Sequence, residues 1–420
     1  MNKISEDPVK LREIREKVSD AYQYHETRDV QVQMPFGTTQ TLKTHWFKST
    51  GKVGRRKTGP KPKDSNRKGK HLYLELYGFT DKVAPTLKAK ALKYAALCPS
   101  NEIASNLLRD DGIIYSSNKM CKQIKEFAEF TNEERAELSC DENESLEGKR
   151  VLLCVDGGRY RRRKTKTGRI PASNKRHGYD LDWKEVKLFT IYVFGENGEV
   201  EKTYKPQIDG VIGEKENLID LLHAYLKKLQ IHKCKEVVFA ADGATWQWKD
   251  IPALLLKLKV SKSKITPILD HMHARENLFE IIANCSKDAL NVFHDELKEE
   301  ASTLLYEGKI EELGVLISKT SNNGFKKSNY KKWKSYFLAN KDRMQYEMFR
   351  EKGFPIGSGA VESAIRRVVN LRIKSPCVFW TEEGAESMVF LRSKILYGRW
   401  GIVTHKLKKM NHNRLINSEI

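Results

Sequence analysis

The chain has 420 residues, enough for two or three domains that each bury a core. Lys and Arg number 76 against 55 Asp and Glu, a formal charge of +21 with a pI near 9.4, which points to a polyanionic partner such as nucleic acid. Seven scattered cysteines with no Cys-x-x-Cys pair exclude a cysteine-type zinc site, and no run approaches the roughly twenty apolar residues of a membrane span.

Residues 1–50 read as a helical and β-leaning segment. The first residues, Met-Asn-Lys-Ile-Ser-Glu-Asp-Pro, lack the apolar stretch of a secretory leader, so a cytoplasmic protein is expected. Val9, Leu11, Ile14, Val18 and Tyr22 predict an amphipathic helix over 8–25, followed by a β-leaning stretch to Phe47. Residues 51–70, rich in Gly, Pro, Lys and Arg, predict a flexible basic arm, with Arg55, Arg56 and Lys57 as candidate DNA contacts and a solvated linker as the alternative. Within 71–130 three helical segments follow, the last two being Ser100 to Arg109 and Ser117 to Phe127. Ala104 at a helix crossing, Gly112 in the turn, Ile114 buried after it and Ser116 or Ser117 as cap give a helix-turn-helix pattern, which a plain helical bundle would mimic. On the first alternative Asn118, Lys119, Lys122 and Gln123 face a major groove. Residues 131–148 are acidic and read as a linker.

From 149 the periodicity turns to strands: Arg150 to Val155, Val186 to Phe194 and Glu199 to Tyr204. A helix at Lys215 to Leu229, a strand ending at Asp242, a helix at Ala244 to Leu258 and a strand at Ile265 to Leu269 complete the order β-β-β-α-β-α-β. That is the order of an α/β, ribonuclease-H-like domain, here covering 149–274 and 351–400, with an all-helical insertion at 275–350 and a basic tail at 401–420. Asp156 and Asp242 each end a strand, and in that fold their strands are neighbours. The Gly-rich turn before Ser358 feeds a helix with Val361, Ala364, Ile365, Val368 and Leu371 on one face and Glu362, Ser363, Arg366, Arg367 and Asn370 on the other.

A strand-end Asp before Gly is often only a turn, and Glu362 with Arg366 is spaced as a surface ion pair. Together, however, Asp156, Asp242 and Glu362 are three hard oxygen donors suited to two Mg²⁺ or Mn²⁺ ions, the set that phosphodiester attack requires. Between Arg159 and His177 lie nine basic residues and no acid, so Arg159, Arg161, Arg162, Arg163, Lys164 and Lys166 are candidate DNA contacts on a loop or hairpin beside Asp156. Arg366 and Arg367 join that set. Trp246, Trp248 and Trp380 read as packing residues, with Trp380 the one placed to meet a flipped base.

Several separated blocks resemble the Kra-type insertion-sequence transposases within the Mutator-like DDE superfamily. They are Val155-Asp156-Gly157-Gly158-Arg159, Trp183 to Tyr192, Ala241-Asp242-Gly243-Ala244-Thr245-Trp246, Leu269-Asp270-His271-Met272-His273-Ala274 and Pro355 to Ser363. The resemblance implies that Asp156, Asp242 and Glu362 form a catalytic, metal-binding acidic triad holding two ions. Asp270 and His273 match the superfamily's Cys-or-Asp-x-x-His motif and are expected to support the active site, although such a pair also serves simply to cap a helix. It further implies a bacterial, nucleoid-associated enzyme that binds double-stranded DNA at element ends, cleaves and joins strands, and assembles as a dimer or larger oligomer. A catalytically inactive DNA-binding descendant and a structure-selective nuclease of the same fold are the alternatives.

Overall fold

The computed structural model describes residues 12, 22–49, 69–79, 81–132, 135, 140, 143–168, 170, 177–285, 291–320, 327–376, 378–405 and 407. The chain divides into one unit of residues 1–134 with 383–420 and a second of residues 135–382.

In the first unit, β1 (Tyr22–Gln33) and β2 (Thr39–Ser49) pair antiparallel and bury Val30, Val32, Leu42 and Phe47. The helix predicted over 8–25 lies outside the described residues except at Arg12 and at Tyr22 to His25. The latter four belong to β1, where pairing with β2 overrides the local helical spacing. Gly69 and Lys70, the last residues of the predicted arm, form β3 (Gly69–Lys70) against Phe47 and Lys48. The rest of the arm, with Arg55, Arg56 and Lys57, lies outside the described residues.

Helices α1 (Leu72–Leu76), α2 (Pro85–Leu97), α3 (Asn101–Asp110) and α4 (Ser117–Asn132) follow. Ser100 Oγ accepts the Ile103 N–H at the start of α3, and Ser116, one of the two predicted caps, accepts the Lys119 N–H at the start of α4. α3 ends in a Schellman turn: Gly112 has φ +73°, its N–H bonds Arg109 O, and the Ile113 N–H bonds Leu108 O. That geometry folds the residue after the glycine back onto the helix. Ile113 is therefore 2% exposed and Ile114 81%, the reverse of the predicted burial of Ile114. Gln123, expected to face a groove, is buried and accepts the Tyr115 hydroxyl. The helix Glu382–Leu396 packs Phe390 against Phe127 and donates from Arg392 to Ala96 O, so the boundary predicted at 400 falls at Glu382. Residues 401–405 are helical and Leu407 is buried, and 408–420 of the predicted basic tail lie outside the described residues.

The second unit is built on β4 (Arg150–Thr165), β5 (Tyr179–Val193), β6 (Gln207–Ile212), α5 (Lys215–Lys228), β7 (Glu236–Ala241), α6 (Thr245–Lys257) and β8 (Ile265–Leu269). The sheet order is β6-β5-β4-β7-β8, antiparallel from β4 to β6 and parallel across β4, β7 and β8. The chain runs β-β-β-α-β-α-β in this unit. Val151, Leu153 and Val155 of β4, with Val237, Phe239 and Ala241 of β7, form the core beneath α5 and α6, among Leu222, Leu226, Ile251 and Leu255. Side chains alternate along a strand, so Leu152, Cys154, Asp156 and Gly158 lie on the other face.

The third strand falls at Gln207–Ile212, not at Glu199 to Tyr204, where only Val200 bridges Phe194. A buried Asp209 broke its apolar pattern. It accepts two hydrogen bonds from Arg135 and one of 2.6 Å from the Tyr225 hydroxyl. Arg135, Cys140 and Leu146, all in the predicted linker, are buried in this unit.

The helical stretch comprises α7 (His271–Cys285), α8 (Asn291–Tyr306), α9 (Ile310–Thr320) and α10 (Lys327–Lys332). A π turn at Trp333–Phe337, a 3₁₀ turn at Leu338–Arg343 and α11 (Tyr346–Glu351) complete it. The chain then returns to the sheet through α12 (Gly359–Ala364), which continues as a π-helical turn, Ile365–Asn370. The wider turn shifts the apolar stripe by one residue, so Val369 is buried and Leu371, predicted on that stripe, is 61% exposed. Among the described residues no helix is long and apolar enough to cross a membrane.

Candidate active site

β4 and β7 run parallel with Cys154 beside Ala240. Carried two residues further, this register brings Asp156 beside Asp242 at the end of the sheet. Gln247 of α6 fixes that end by donating to Val155 O at 3.3 Å. Asp156 faces the side of the sheet on which α12 lies. There Gly158 lets the helix approach, since a Cβ at this position would stand 3.3 Å from Ile365 and 3.4 Å from Val369. Glu362 is carried by that same helix.

Burial raises the pKa of Asp156, and the negative charges of Asp242 and Glu362 raise it further, against the Gly157 N–H (2.6 Å) and the His273 cation. Asp242, just past the end of β7, and Glu362, on the helix, therefore both act electrically on Asp156, which lies within β4 rather than at the strand end predicted for it, because pairing with β5 carries the strand on to Thr165. Asp242 Oδ1 also accepts the Ala244 N–H at 3.2 Å, the turn-forming role open to any Asp before a helix. Glu362 is exposed, and the cation it faces is His273, 3.7 Å away, rather than Arg366.

Asp270, fully buried, connects three elements. Its N–H donates to Ala241 O at 2.8 Å, at the end of β7. Its Oδ1 accepts the His273 N–H at 2.7 Å and faces His273 Nδ1 at 3.1 Å, while Oδ2 accepts the Ser358 N–H at the start of α12. Burial opposes its ionisation, but the hydrogen bonds from His273 and Ser358 prevail and hold its pKa to about 2. The same bond raises His273 to about 9, against its own desolvation and with help from the charges of Glu362 and Asp242. One ligand atom from each of Asp270, His273 and Glu362 lies within 4.8 Å of the others. Both Asp270 oxygens are already engaged by protein donors, so this residue aligns its neighbours and has little capacity left for a cation. The freer oxygens belong to Asp156, Asp242 and Glu362, which are donors of the hard type that Mg²⁺ or Mn²⁺ takes, but among the described residues these three do not close to the mutual distance that Asp270, His273 and Glu362 reach.

Ser358 stands at the N-cap of α12 without capping the backbone. Its hydroxyl donates to Glu362 Oε1 at 3.3 Å. Tyr336, which the sequence pattern marks only as apolar packing of the helical stretch, donates its hydroxyl to Asp242 O at 3.1 Å, and its ring covers Gly243. Nothing local in the sequence ties residue 336 to residue 242, which is why its part in the site was missed. His271 packs edge-on against the Tyr306 and Tyr346 rings.

The basic run after Asp156 is the outer half of β4, paired with β5 as far as Thr165 opposite Tyr179. Arg159, Arg163, Lys164 and Lys166 are exposed there. Arg162 is engaged by Asp182 and Glu382, and Lys166 by Asp180 at 3.1 Å. Trp380 is a packing residue, its backbone bridging Arg162 and its ring lying 4.7 Å from the Arg372 guanidinium. Trp248 likewise packs on Phe239 and Arg343. Arg366 and Arg367 are exposed on the turn after α12. In the first unit, Lys119 lies over the Tyr115 ring and donates to Gln33, and Lys122 pairs with Asp81 and Glu126.

No protein-family model and no curated protein matches the sequence. Among solved structures, the Drosophila P element transposase strand transfer complex is similar over 81% of this chain and 85% of that one, with a TM-score of 0.29 and 11% identity.

Proposed function

We propose that the chain is a DNA transposase of the Kra-type, Mutator-like DDE group, which binds the terminal inverted repeats of an insertion sequence and catalyses strand cleavage and strand transfer. The observation that carries this reading is that Asp242, just past the end of β7, and Glu362, on the helix over the sheet, both act electrically on Asp156 of the adjacent central strand β4. The sheet order, with its central strand carrying the first Asp, supports a ribonuclease-H-like domain.

Asp156, Asp242 and Glu362 would hold two Mg²⁺ or Mn²⁺ ions. When bound, paired divalent cations supply an activated water or 3′-hydroxyl and neutralise the leaving oxygen of an in-line displacement. Asp270 aligns His273 and the α12 N-terminus, which orients Glu362 through Ser358 and His273. Arg159 and Arg366 are exposed near this sheet end and would take the phosphates flanking the scissile bond, with Lys164, exposed further out along β4, taking the backbone beyond. α3 and α4 would serve as a helix-turn-helix, with Asn118, exposed on α4, towards the bases and Lys119 and Lys122 towards the backbone. Synapsis of two ends requires at least a dimer, and nucleoid association follows from the substrate.

Incubating the protein with Mg²⁺ and duplex DNA carrying the element's ends tests the reading. Joined products support it, nicking without joining makes the chain a nuclease, and binding without cleavage makes it an inactive DNA-binding protein. Asp156→Asn is expected to keep end binding and abolish cleavage.

A further inference from the structure

The outer hairpin of β4 and β5 has two unlike faces. On one, Arg162 is held by Asp182 and Glu382, and Lys166 by Asp180, so both aspartates of β5 are engaged in ion pairs. On the other, Arg161 lies opposite Trp183, Arg163 opposite Leu181 and Thr165 opposite Tyr179. The Arg161 guanidinium sits 4.9 Å from the Phe379 ring centre and 6.0 Å from that of Trp183, and Arg163 sits 5.6 Å from that of Tyr179. Neither Arg161 nor Arg163 has a carboxylate partner among the described residues. Trp183 is 55% exposed, Leu181 48% and Tyr179 45%.

A solvated strand face would carry mixed charges; aromatics with arginines also suit a protein partner, but the run of cations without an acid that continues from this face favours a polyanion. A surface gripping only duplex phosphates would need the cations without the rings. Flat π surfaces with guanidinium charges between them match unpaired bases on a phosphate backbone. Charge complementarity extends past the described pairs, because the sequence from Arg159 to His177 holds nine cations and no acid. At about 3.3 Å per residue, Arg161 and Arg163 lie about 17 and 23 Å along β4 from Asp156.

We propose that the face formed by Arg161, Arg163, Tyr179, Leu181 and Trp183 is a stacking platform for the bases of single-stranded DNA. This rests on the reading of the chain as a DNA enzyme and adds that part of its substrate is held unpaired along the outer hairpin, away from Asp156.

The test uses the full chain in chelator with three fluorescent probes of equal length: oligo(dT), an abasic strand and a duplex. Trp183→Ala is expected to weaken oligo(dT) binding about tenfold, the loss of one stacked base, while leaving the abasic strand and the duplex within about twofold. Trp183→Phe, which keeps a ring, is expected to retain most of the affinity and controls for folding. An equal loss on all three probes would reduce the face to a phosphate contact and overturn the proposal. Unchanged oligo(dT) binding would also overturn it, and a changed sedimentation coefficient in the same variant would assign the face to a second copy of the chain. Cleavage of an end-bearing duplex in Mg²⁺ is measured on the wild type alone, so a failure of the cleavage reading and a failure of the platform are read separately.

Discussion

Replacing Asp270 by asparagine removes one charge from the most constrained point of the site and leaves its shape nearly intact. The wild-type carboxyl is held near 2 instead of 3.8, which corresponds to about 2 kcal/mol of folding free energy at neutral pH. The amide turns an N–H₂ towards the Ser358 or His273 donors, and leaving a buried donor unpaired adds about 1–3 kcal/mol. The expected destabilisation is therefore about 3–5 kcal/mol, the range for breaking a buried pair. The pH dependence follows from the two signs. Ionised Asp270 contributes above its unfolded value of 3.8, and that contribution is lost as pH falls through about 2. Protonated His273 contributes below its unfolded value of 6.5, and that contribution is lost as pH rises through about 9. Wild-type stability is thus expected to decline between pH 6.5 and 9, and the variant to lose that slope. Urea unfolding at pH 6, 7.5 and 9 in chelator measures it. A ¹³C-histidine NMR titration, with His273→Gln for assignment, is expected to show the variant's imidazole returned towards 6.5. An unchanged unfolding midpoint together with a His273 still titrating near 9 would refute the pairing.

Asp156→Asn removes a carboxylate whose ionisation is opposed by burial and by Asp242 and Glu362, so in chelator at pH 7 the variant is expected to melt above the wild type in differential scanning calorimetry. Gly243→Ala puts a Cβ on a backbone with φ +110° and 2.9 Å from the Tyr336 ring, which is expected to cost about 1–3 kcal/mol in chemical denaturation. Arg135→Ala leaves Asp209 buried without its guanidinium, an expected loss of about 3–5 kcal/mol in urea unfolding, whereas Tyr225→Phe removes one hydrogen bond and is expected to cost about 0.5–1.5 kcal/mol.

Much of the sheet unit was legible in the order of residues. Apolar alternation marked β4, β5, β7 and β8, helical spacing marked α5 and α6, and the two strand-end aspartates stood out because each closes an apolar run at a glycine. β6 was displaced because its middle residue is a carboxylate, and only the buried Arg135 and Tyr225 groups make that acceptable within the strand. The helix-turn-helix pattern places Ile114 in the interior and helical spacing places Leu371 there; a Schellman turn and a π-helical turn each shift burial by one residue.

The sequence alone determined which residues carry charge and which runs form most of the strands and helices, because these depend on neighbours within a few positions. Only the tertiary structure decided that Asp270 reaches from β7 to the first turn of α12, that Tyr336 buttresses Asp242, and that one hairpin face neutralises its cations while the other leaves them over aromatic rings. Those facts depend on strand register and on contacts across 14 to 220 positions, which no local pattern encodes.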